Sequence, residues 1–507
     1  MTASPCTHVD LPQTLLEPIL TKRAIHAGWS VRFNTSFVRI LSRTDLDPST
    51  APHQKRIVSE IRDDLTQHTY TIRSRYLFGC DGARSQVARA LSLPLVKKPG
   101  QGLAINVLVK ADLSRHMPTR SGNLHWIVRP DEDPARTPVW AWAALARMIR
   151  PWDEWMFIFL PAPGADVTLD AVSTATPDAY VARVRECIGD PTVDVELRDV
   201  SRWWINETVA ERYSDGGHVF CLGDATHRHP PFNGLGSNTC VQDAYNLAWK
   251  VHLVMAGTAG PALLETFTAE RQPVGAGIVA RANQGLRDHA GWQAALGMLE
   301  TDKAERGRIW DELGDAGPAG RARREAFRRG IERTDAEFHG LGVEMGQVYV
   351  SDAVVREDEP AAAAGAGPTT VPAAADEVRE YIPSTLPGKR LPHVWLNTRV
   401  PGDKVSTQDL AGHGRFCLLT GPGGERWKEA AREVGARLGV EVVSYSIGWK
   451  QDYEDVYFDW ARRREVDEDG CVLVRPDRFV AWRAREMVKD SDPAEKLEGV
   501  MRKVLAL

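Results

Sequence analysis

The chain has 507 residues, 43% of them hydrophobic and 26% charged, which suits two or three domains with ordinary cores. Its 63 basic and 68 acidic residues leave a net charge of -5, which excludes the basic footprint of a nucleic-acid binder and a polybasic membrane patch. No apolar run approaches the ~20 residues of a membrane helix, there is no secretory signal, and the seven cysteines stand singly with no C-x-x-C pair, so a soluble cytoplasmic protein without a disulfide framework or zinc site is expected.

In chain order, Leu15, Leu16, Ile19, Leu20 and Ile25 recur with helical spacing. Strand-like stretches follow at 31–40, 56–62 and 69–80, and an Asp-Gly turn then opens a short helix to Leu91. From about 102 to 204, short segments (103–110, 123–129, 139–147, 155–160) alternate apolar and polar residues, the pattern of an antiparallel sheet. A buried-type strand at 218–222 leads through a loop rich in proline and glycine into a helix over 238–255, for which Val241, Ala244, Leu247, Ala248, Val251, Val254 and Met255 are the expected apolar face. Helical sequence continues to about 340, and residues 357–377, rich in Ala, Pro and Gly, suggest a linker. The last segment alternates strands (416–420, 440–446, 471–474, 479–483) with helices (426–438, 494–505), a small α/β domain.

Two stretches carry chemistry. In Cys80-Asp81-Gly82-Ala83-Arg84-Ser85-Gln86-Val87-Ala88-Arg89, Gly82 permits a turn that a side chain would hinder, and Arg84, Ser85, Arg89 and the helix amides offer donors to a phosphate. In the run from Gly223 and Asp224 through His227, His229, Pro230, Pro231, Gly234, Gly236 and Ser237 to Asn238, Asp224 sits just past a strand end and can accept hydrogen bonds from hydroxyl groups. The prolines stiffen the loop, the glycines let backbone approach a flat ring, and the helix beginning at Asn238 turns its positive end toward it. A metal pair at His227 and His229 is the weaker alternative, since no further ligand lies close in sequence.

The spacing Asp-Gly-x-x-Ser-x-x-x-Arg, together with Gly-Asp-Ala-x-His-x-x-Pro-Pro running on to Asn-Leu-Ala-Trp-Lys at 246–250, resembles the FAD-dependent aromatic hydroxylases of the p-hydroxybenzoate hydroxylase and phenol 2-monooxygenase type. Arg150-Pro151-Trp152-Asp153-Glu154-Trp155 and residues 341–352 are similar to the 2,4-dichlorophenol 6-monooxygenase branch. Gln13, in Leu11-Pro12-Gln13, matches a glutamine that approaches FAD in that family, and Cys240 stands where a smaller residue is common. The 270–274 segment Glu-Arg-Gln-Pro-Val matches as a structural element.

The resemblance implies an α/β fold. It consists of a truncated FAD-binding doubly wound domain (1–100 and 206–355), an inserted antiparallel-sheet substrate domain (101–205), a linker (356–388) and a thioredoxin-like domain (389–507) that packs or dimerises but, lacking C-x-x-C, runs no dithiol chemistry. FAD would be held by Gln13, Asp81, Gly82, Arg84, Asp224, Pro231, Gly234, Gly236, Ser237 and Asn238. NADPH or NADH would reduce it, and oxygen would pass to a small phenolic or polyketide-derived ring. The base is open, with His125 and Arg147 as weak candidates in the sheet. No G-x-G-x-x-G occurs in the first 100 residues, so the unit that holds the pyrophosphate in this family is missing from the sequence as written. A late start of the reading frame is the first expectation. The alternative is a non-catalytic homologue acting as a binding or scaffold protein, possibly dimeric.

Overall fold

Two short strands far apart in sequence organise the chain. Leu77–Gly79 and Val219–Cys221 pair in parallel, with Gly79 opposite Cys221. Each runs directly into one of the two motifs, so the pairing delivers both turns to one end of the same two-stranded ladder, and the 3-10 turns Gly82–Arg84 and Gly223–Ala225 touch. The pairing leaves no room at Gly79, where a Cβ would lie 2.8 Å from the Val87 Cβ and 2.9 Å from the Cys221 Sγ. Gly79→Ala is therefore expected to lower the unfolding free energy by about 1–3 kcal/mol, the usual cost of overpacking. Denaturant titration checks this, and an unchanged midpoint would contradict the close fit.

The computed structural model describes residues 3–99, 102–118, 122–162, 165, 175–360, 376–488 and 492–507. The expected strand over 69–80 is two strands in different sheets. Thr69–Ser74 pairs antiparallel with Ile57–Asp63, which pairs with Thr35–Arg43. The chain then turns at Arg75, whose carbonyl lies 3.0 Å from the His218 Nδ1, and Leu77 begins the parallel ladder. The helix Gln13–His26 forms where its periodicity predicts, but none of its residues is buried.

The inserted region is a five-stranded antiparallel sheet in the spatial order Glu196–Trp204, Leu103–Lys110, Glu154–Leu160, Ala143–Arg150, Leu124–Ile127. We call it the roof. One of its faces packs Ile105, Val107, Ala144, Ala146, Trp155 and Phe157 against Tyr180 and Val184 of the helix Pro177–Ile188. The strand period of two then puts Asn106, Trp126, Leu145, Arg147, Met156 and Ile158 on the opposite face. Residues 139–141, expected in a strand, form a 3-10 turn instead.

The cradle helix Gly236–Ala256 departs from its expected face. Leu247 and Val251 are buried, but Val241, Ala244, Ala248 and Met255 are exposed, while Thr239, Asp243, Asn246 and Lys250 are buried. The helix turns a polar stripe inward because partners from distant elements meet it there. The spine helix Thr266–Ala295 supplies Glu270 and Arg271, and the C-terminal domain supplies Arg475 and Asp477.

The C-terminal sheet has the order Val442–Ser446, Phe416–Thr420, Cys471–Val474, Val480–Ala484, with the first pair parallel and the others antiparallel. Helices Glu425–Leu438 and Pro493–Val504 bury their apolar stripes against it, which is the arrangement of a thioredoxin-like domain. Its core is shared with the rest of the chain: Trp249, Leu253, Leu263, Ala353 and Val355 belong to the same cluster as Trp427 and Trp482. Domain packing also begins before residue 389, since Thr385 bonds the Arg464 carbonyl and Gly388 N–H the Val480 carbonyl. Of the expected linker, residues 361–375 lie outside the described residues.

Candidate flavin site

The Asp81 turn is built by its own carboxylate. Asp81 accepts hydrogen bonds from the Ser85 hydroxyl at 2.5 Å, the Gln86 amide at 2.7 Å and the Val87 amide at 3.2 Å, and Ser85 Oγ accepts from the Ala88 amide. Asp81 and buried Ser85 thus cap the short helix rather than reach outward. Gly82, at φ +73°, faces open space, and Arg84 and Arg89 are exposed beside it.

Across the ladder, Asp224 is exposed and its backbone carbonyl accepts from Arg228 Nε at 2.9 Å. Burial lowers the pKa of the Arg228 guanidinium, with the Asp224 charge opposing and Arg89 adding to the shift. Arg84, Arg89 and Arg228 therefore form a cationic edge along the two turns. Arg228 was passed over in the sequence because it lies inside the second motif between its two histidines. Only the pairing of the strands brings it near Arg89.

The loop beyond is shaped by backbone. Pro231, Gly234, Ser237 and Asn238 are exposed, and Gly236 is half-buried beside the His229 ring. Gly234 adopts φ +61° and a Cβ there would meet nothing within 4 Å, so the loop is open on that side. Asn238 Nδ2 donates to the Gly234 carbonyl at 3.0 Å, and the cradle helix has no side-chain cap, which leaves first-turn amides facing the opening. An open glycine-lined shelf, uncapped amides and an arginine edge suit a ligand with a flat ring and a pyrophosphate, and FAD has both. Cys240 packs over Gly223, whose added Cβ would lie 2.8 Å from its Sγ, and burial pushes its thiol up to about 12.

The loop is held from below by Asp243, which the sequence reading had not singled out. Its Oδ2 accepts from the Gly223 amide at 3.1 Å and from His227 Nε2 at 2.8 Å, and its Oδ1 accepts from Arg271 Nε at 2.7 Å. Burial raises the Asp243 pKa, but the His227 hydrogen bond and the Arg271 charge outweigh it and hold it below the carboxylate range. Arg271 reaches on to the Tyr349 hydroxyl at 3.0 Å, and Tyr349 stacks on Phe479 at 3.9 Å. His229 meets the Pro230 carbonyl at 2.8 Å. The two histidines considered as a metal pair are thus tied to separate protein partners.

Gln13 is exposed and donates to Glu17 at 2.5 Å. Three residues earlier, Asp10 accepts from Arg147 at 2.6 Å and from Asn123, which ties the N-terminal segment to the roof. Arg147 lies on the roof face shared with Trp126, whose ring meets that of Phe232 in the loop at 6.3 Å. His125 lies on the other face, 6.0 Å from the Trp155 ring and away from the loop, because adjacent strand residues point to opposite sides.

A family profile described as an FAD binding domain matches residues 1–282, and one described as the C-terminal domain of aromatic-ring hydroxylases matches 384–506. The chain belongs to the FAD-dependent aromatic-ring hydroxylases. It is 38% identical over 510 residues to the 2,4-dichlorophenol 6-monooxygenase of Delftia acidovorans, covering 100% of this chain and 81% of that protein. It is 38% identical over 496 residues to the phenol 2-monooxygenase of Pseudomonas sp. strain EST1001, covering 97% and 74%. The crystal structure of the flavin-dependent monooxygenase PieE in complex with FAD and substrate superposes with a TM-score of 0.86 at 40% identity, over 99% of this chain and 81% of that one. These hydroxylase relatives support a flavin monooxygenase and give no support to the scaffold alternative.

Proposed function

We propose that this hydroxylase holds FAD between the Asp81 and Asp224 turns and hydroxylates a phenolic ring placed under the roof, with NADPH or NADH as reductant. The observation carrying this reading is the contact between the two turns at the end of the Gly79–Cys221 ladder, beneath the uncapped cradle helix. In the proposal, Arg84, Arg89 and Arg228 hold the pyrophosphate, Asp224 accepts from ribityl hydroxyls, and Gly234 and Gly236 leave room for the ring. Bound there, FAD supplies electron transfer from the nicotinamide and activation of oxygen. The uncapped amides at the start of the cradle helix would place positive partial charge beside the ring. Arg147, with Asp10, orients the phenol oxygen from the roof. Asp81 and Gln13 act through their helix and are positioning residues in this scheme.

The same reading takes the domain boundaries near 100, 205, 355 and 389, a small aromatic substrate, no nucleic-acid partner and a cytoplasmic setting. A homodimer through the C-terminal domain is part of it, supported by exposed Val400, Trp449 and Phe458 there. No helix among the described residues is long and apolar enough to cross a membrane.

Reconstitution tests the proposal. Purified protein titrated with FAD should acquire the absorbance of bound flavin, and NAD(P)H oxidation should speed up on adding a phenol, which gains one oxygen. Gly234→Ala should weaken FAD by about tenfold, or ~1.4 kcal/mol, because its methyl enters the shelf. FAD binding unchanged by this substitution, or by removal of Arg228, would place the flavin elsewhere.

A further inference from the structure

Where the cradle helix meets the C-terminal domain, separate elements bring two arginines together. Arg478 ends the tight turn after the strand Cys471–Val474, its amide donating to the Arg475 carbonyl at 2.9 Å. Arg390 lies on the neighbouring segment, which bridges Phe479 antiparallel and whose Leu391 amide donates to the Arg478 carbonyl at 2.9 Å. The turn 411–414 and the cradle helix close in from the other sides. A Cβ on Gly412 would lie 2.8 Å from the Tyr245 hydroxyl and 2.9 Å from Arg478 Nε. Tyr245, 40% exposed, and exposed His413 leave the place open to solvent.

The charges of the seam set these two arginines apart. Lys250 and Arg475 balance Glu270 and Asp477, and Arg271 balances Asp243. Arg390 and Arg478 have no carboxylate partner among the described residues. Arg390 Nε is buried without a hydrogen bond, and its guanidinium lies 5.0 Å from the Phe479 ring, a contact that brings no counter-charge. Arg478 Nε reaches only the Ala411 carbonyl, at 3.3 Å. The Tyr381 hydroxyl is also buried without a partner. Burial raises the Tyr381 pKa, with the Arg390 and Arg463 charges opposing. Burial raises the Tyr245 pKa, with Arg478 and Arg390 opposing and Asp477 adding to the shift. Arg390 therefore stands between two phenol hydroxyls, one of which it shares with Arg478. A buried guanidinium without a counter-charge and a buried hydroxyl without a partner each cost free energy, and folded proteins leave few of them.

We infer that Arg390 and Arg478, with the hydroxyls of Tyr245 and Tyr381, hold a phosphate-type dianion at this seam. Two uncompensated positive charges match its charge, and two guanidinium forks with hydroxyls on either side suit an acceptor whose oxygens point in several directions. The source is free phosphate or a phosphoryl group carried by a nucleotide such as NADPH. The site does not depend on where the flavin lies.

Thermal unfolding and calorimetry of the full chain test it, with inorganic phosphate titrated against chloride at constant ionic strength so that screening stays the same. Phosphate should bind saturably and raise the unfolding midpoint. Arg390→Met should weaken phosphate at least about tenfold. In chloride alone its midpoint should be unchanged or raised, because the substitution deletes a buried charge that nothing balances. Arg478→Gln should weaken phosphate about tenfold with the chloride midpoint unchanged. NADPH and NADH separate the sources. NADPH binding tighter than NADH, and displaced by phosphate, assigns the site to the nucleotide's additional phosphate. Equal binding of the two, with phosphate displacing neither, assigns it to the free ion. Phosphate without effect on the wild type, or with the same effect on the wild type and both variants, overturns the inference. A lowered midpoint for Arg390→Met in chloride also overturns it, since the guanidinium would then be a structural group held by the Phe479 ring.

Discussion

Replacing Arg475 with leucine should lower the unfolding free energy by about 3–5 kcal/mol, the usual cost of leaving a buried charge without its partner. Arg475 is fully buried in the C-terminal domain. Its two terminal nitrogens reach Glu270 of the spine helix at 2.6 and 2.8 Å, and it also bonds Asp477 at 2.5 Å. Lys250 of the cradle helix meets Glu270 at 2.8 Å, and Asn246 donates to both Glu270 and Asp477. Two cations and two anions balance in a buried seam. Burial pushes the Lys250 ammonium down to about 8 despite Glu270. Burial raises the Glu270 pKa, but Arg475 and then Lys250 outweigh it and hold it well below the carboxylate range.

The sign of the pH dependence follows. A carboxyl depressed by folding contributes stability above its unfolded pKa of about 4.3, and that contribution is lost as pH falls through the folded value. The Arg475→Leu deficit should therefore be full at neutral pH and shrink once Glu270 protonates in the variant. Urea titrations at pH 7 and near pH 4 read this out. A double variant, Arg475→Met with Asp477→Leu, should recover part of the loss, since it removes an opposite pair together. A deficit below about 1 kcal/mol at pH 7, the scale of an exposed pair, would mean that the four groups do not act as a unit.

This seam also explains what the sequence could not display. The four strands of the C-terminal sheet were legible to within two residues because continuous apolar runs such as Phe416–Thr420 are buried throughout, whereas the two-residue strands Trp395–Leu396 and Val405–Ser406 are too short to show a pattern. The cradle helix was legible as a helix but not in its orientation. Hydrophobic periodicity nominates Val241 and Ala248, whereas the inward face is chosen by Glu270, Arg271, Arg475 and Asp477, the last of them 231 positions from Asn246. Charges that neutralise each other across such separations carry no local signature. Glu270 and Arg271, read as structural, are indeed buried in this network rather than exposed in the loop. The glycines of the two turns were legible because positive φ at Gly82 and Gly234 is a local demand of the chain. Asp81 was identified as special, yet its carboxylate serves the helix cap, a role that an Asp-Gly turn equally predicts. His125 against Arg147 could not be decided without register, since a shift of one residue exchanges the faces.

Asp243→Asn should cost about as much, again ~3–5 kcal/mol, and should in addition loosen the loop that begins at Gly223. The substitution preserves shape but not acceptor count. Asp243 Oδ2 receives the Gly223 amide and His227, and Oδ1 receives Arg271. If the new amide nitrogen replaces Oδ1, it opposes the Arg271 donor. If it replaces Oδ2, His227 can switch tautomer and accept from it, but the Gly223 amide then faces a donor. The first orientation strands the buried Arg271 Nε–H, the second strands the Gly223 N–H and the His227 Nδ1–H, which has no partner, and in both Arg271 loses its carboxylate charge. Gly223 opens the Asp224 turn, so the disturbance arrives at the proposed ribityl contact, while Tyr349→Phe, which removes only the far hydroxyl on Arg271, should cost about 1 kcal/mol. Hydrogen exchange followed by mass spectrometry over residues 219–235 should show faster exchange at Gly223 in Asp243→Asn and near-native exchange in Tyr349→Phe. In the wild type, the Asp243 contribution is present above about pH 3.9 and is lost as pH falls through its depressed folded value, so the variant should show a flatter acid limb. Native-like exchange at Gly223 together with a full acid limb in Asp243→Asn would show that the loop is held by the strand ladder alone, and that the buried carboxylate does not position it.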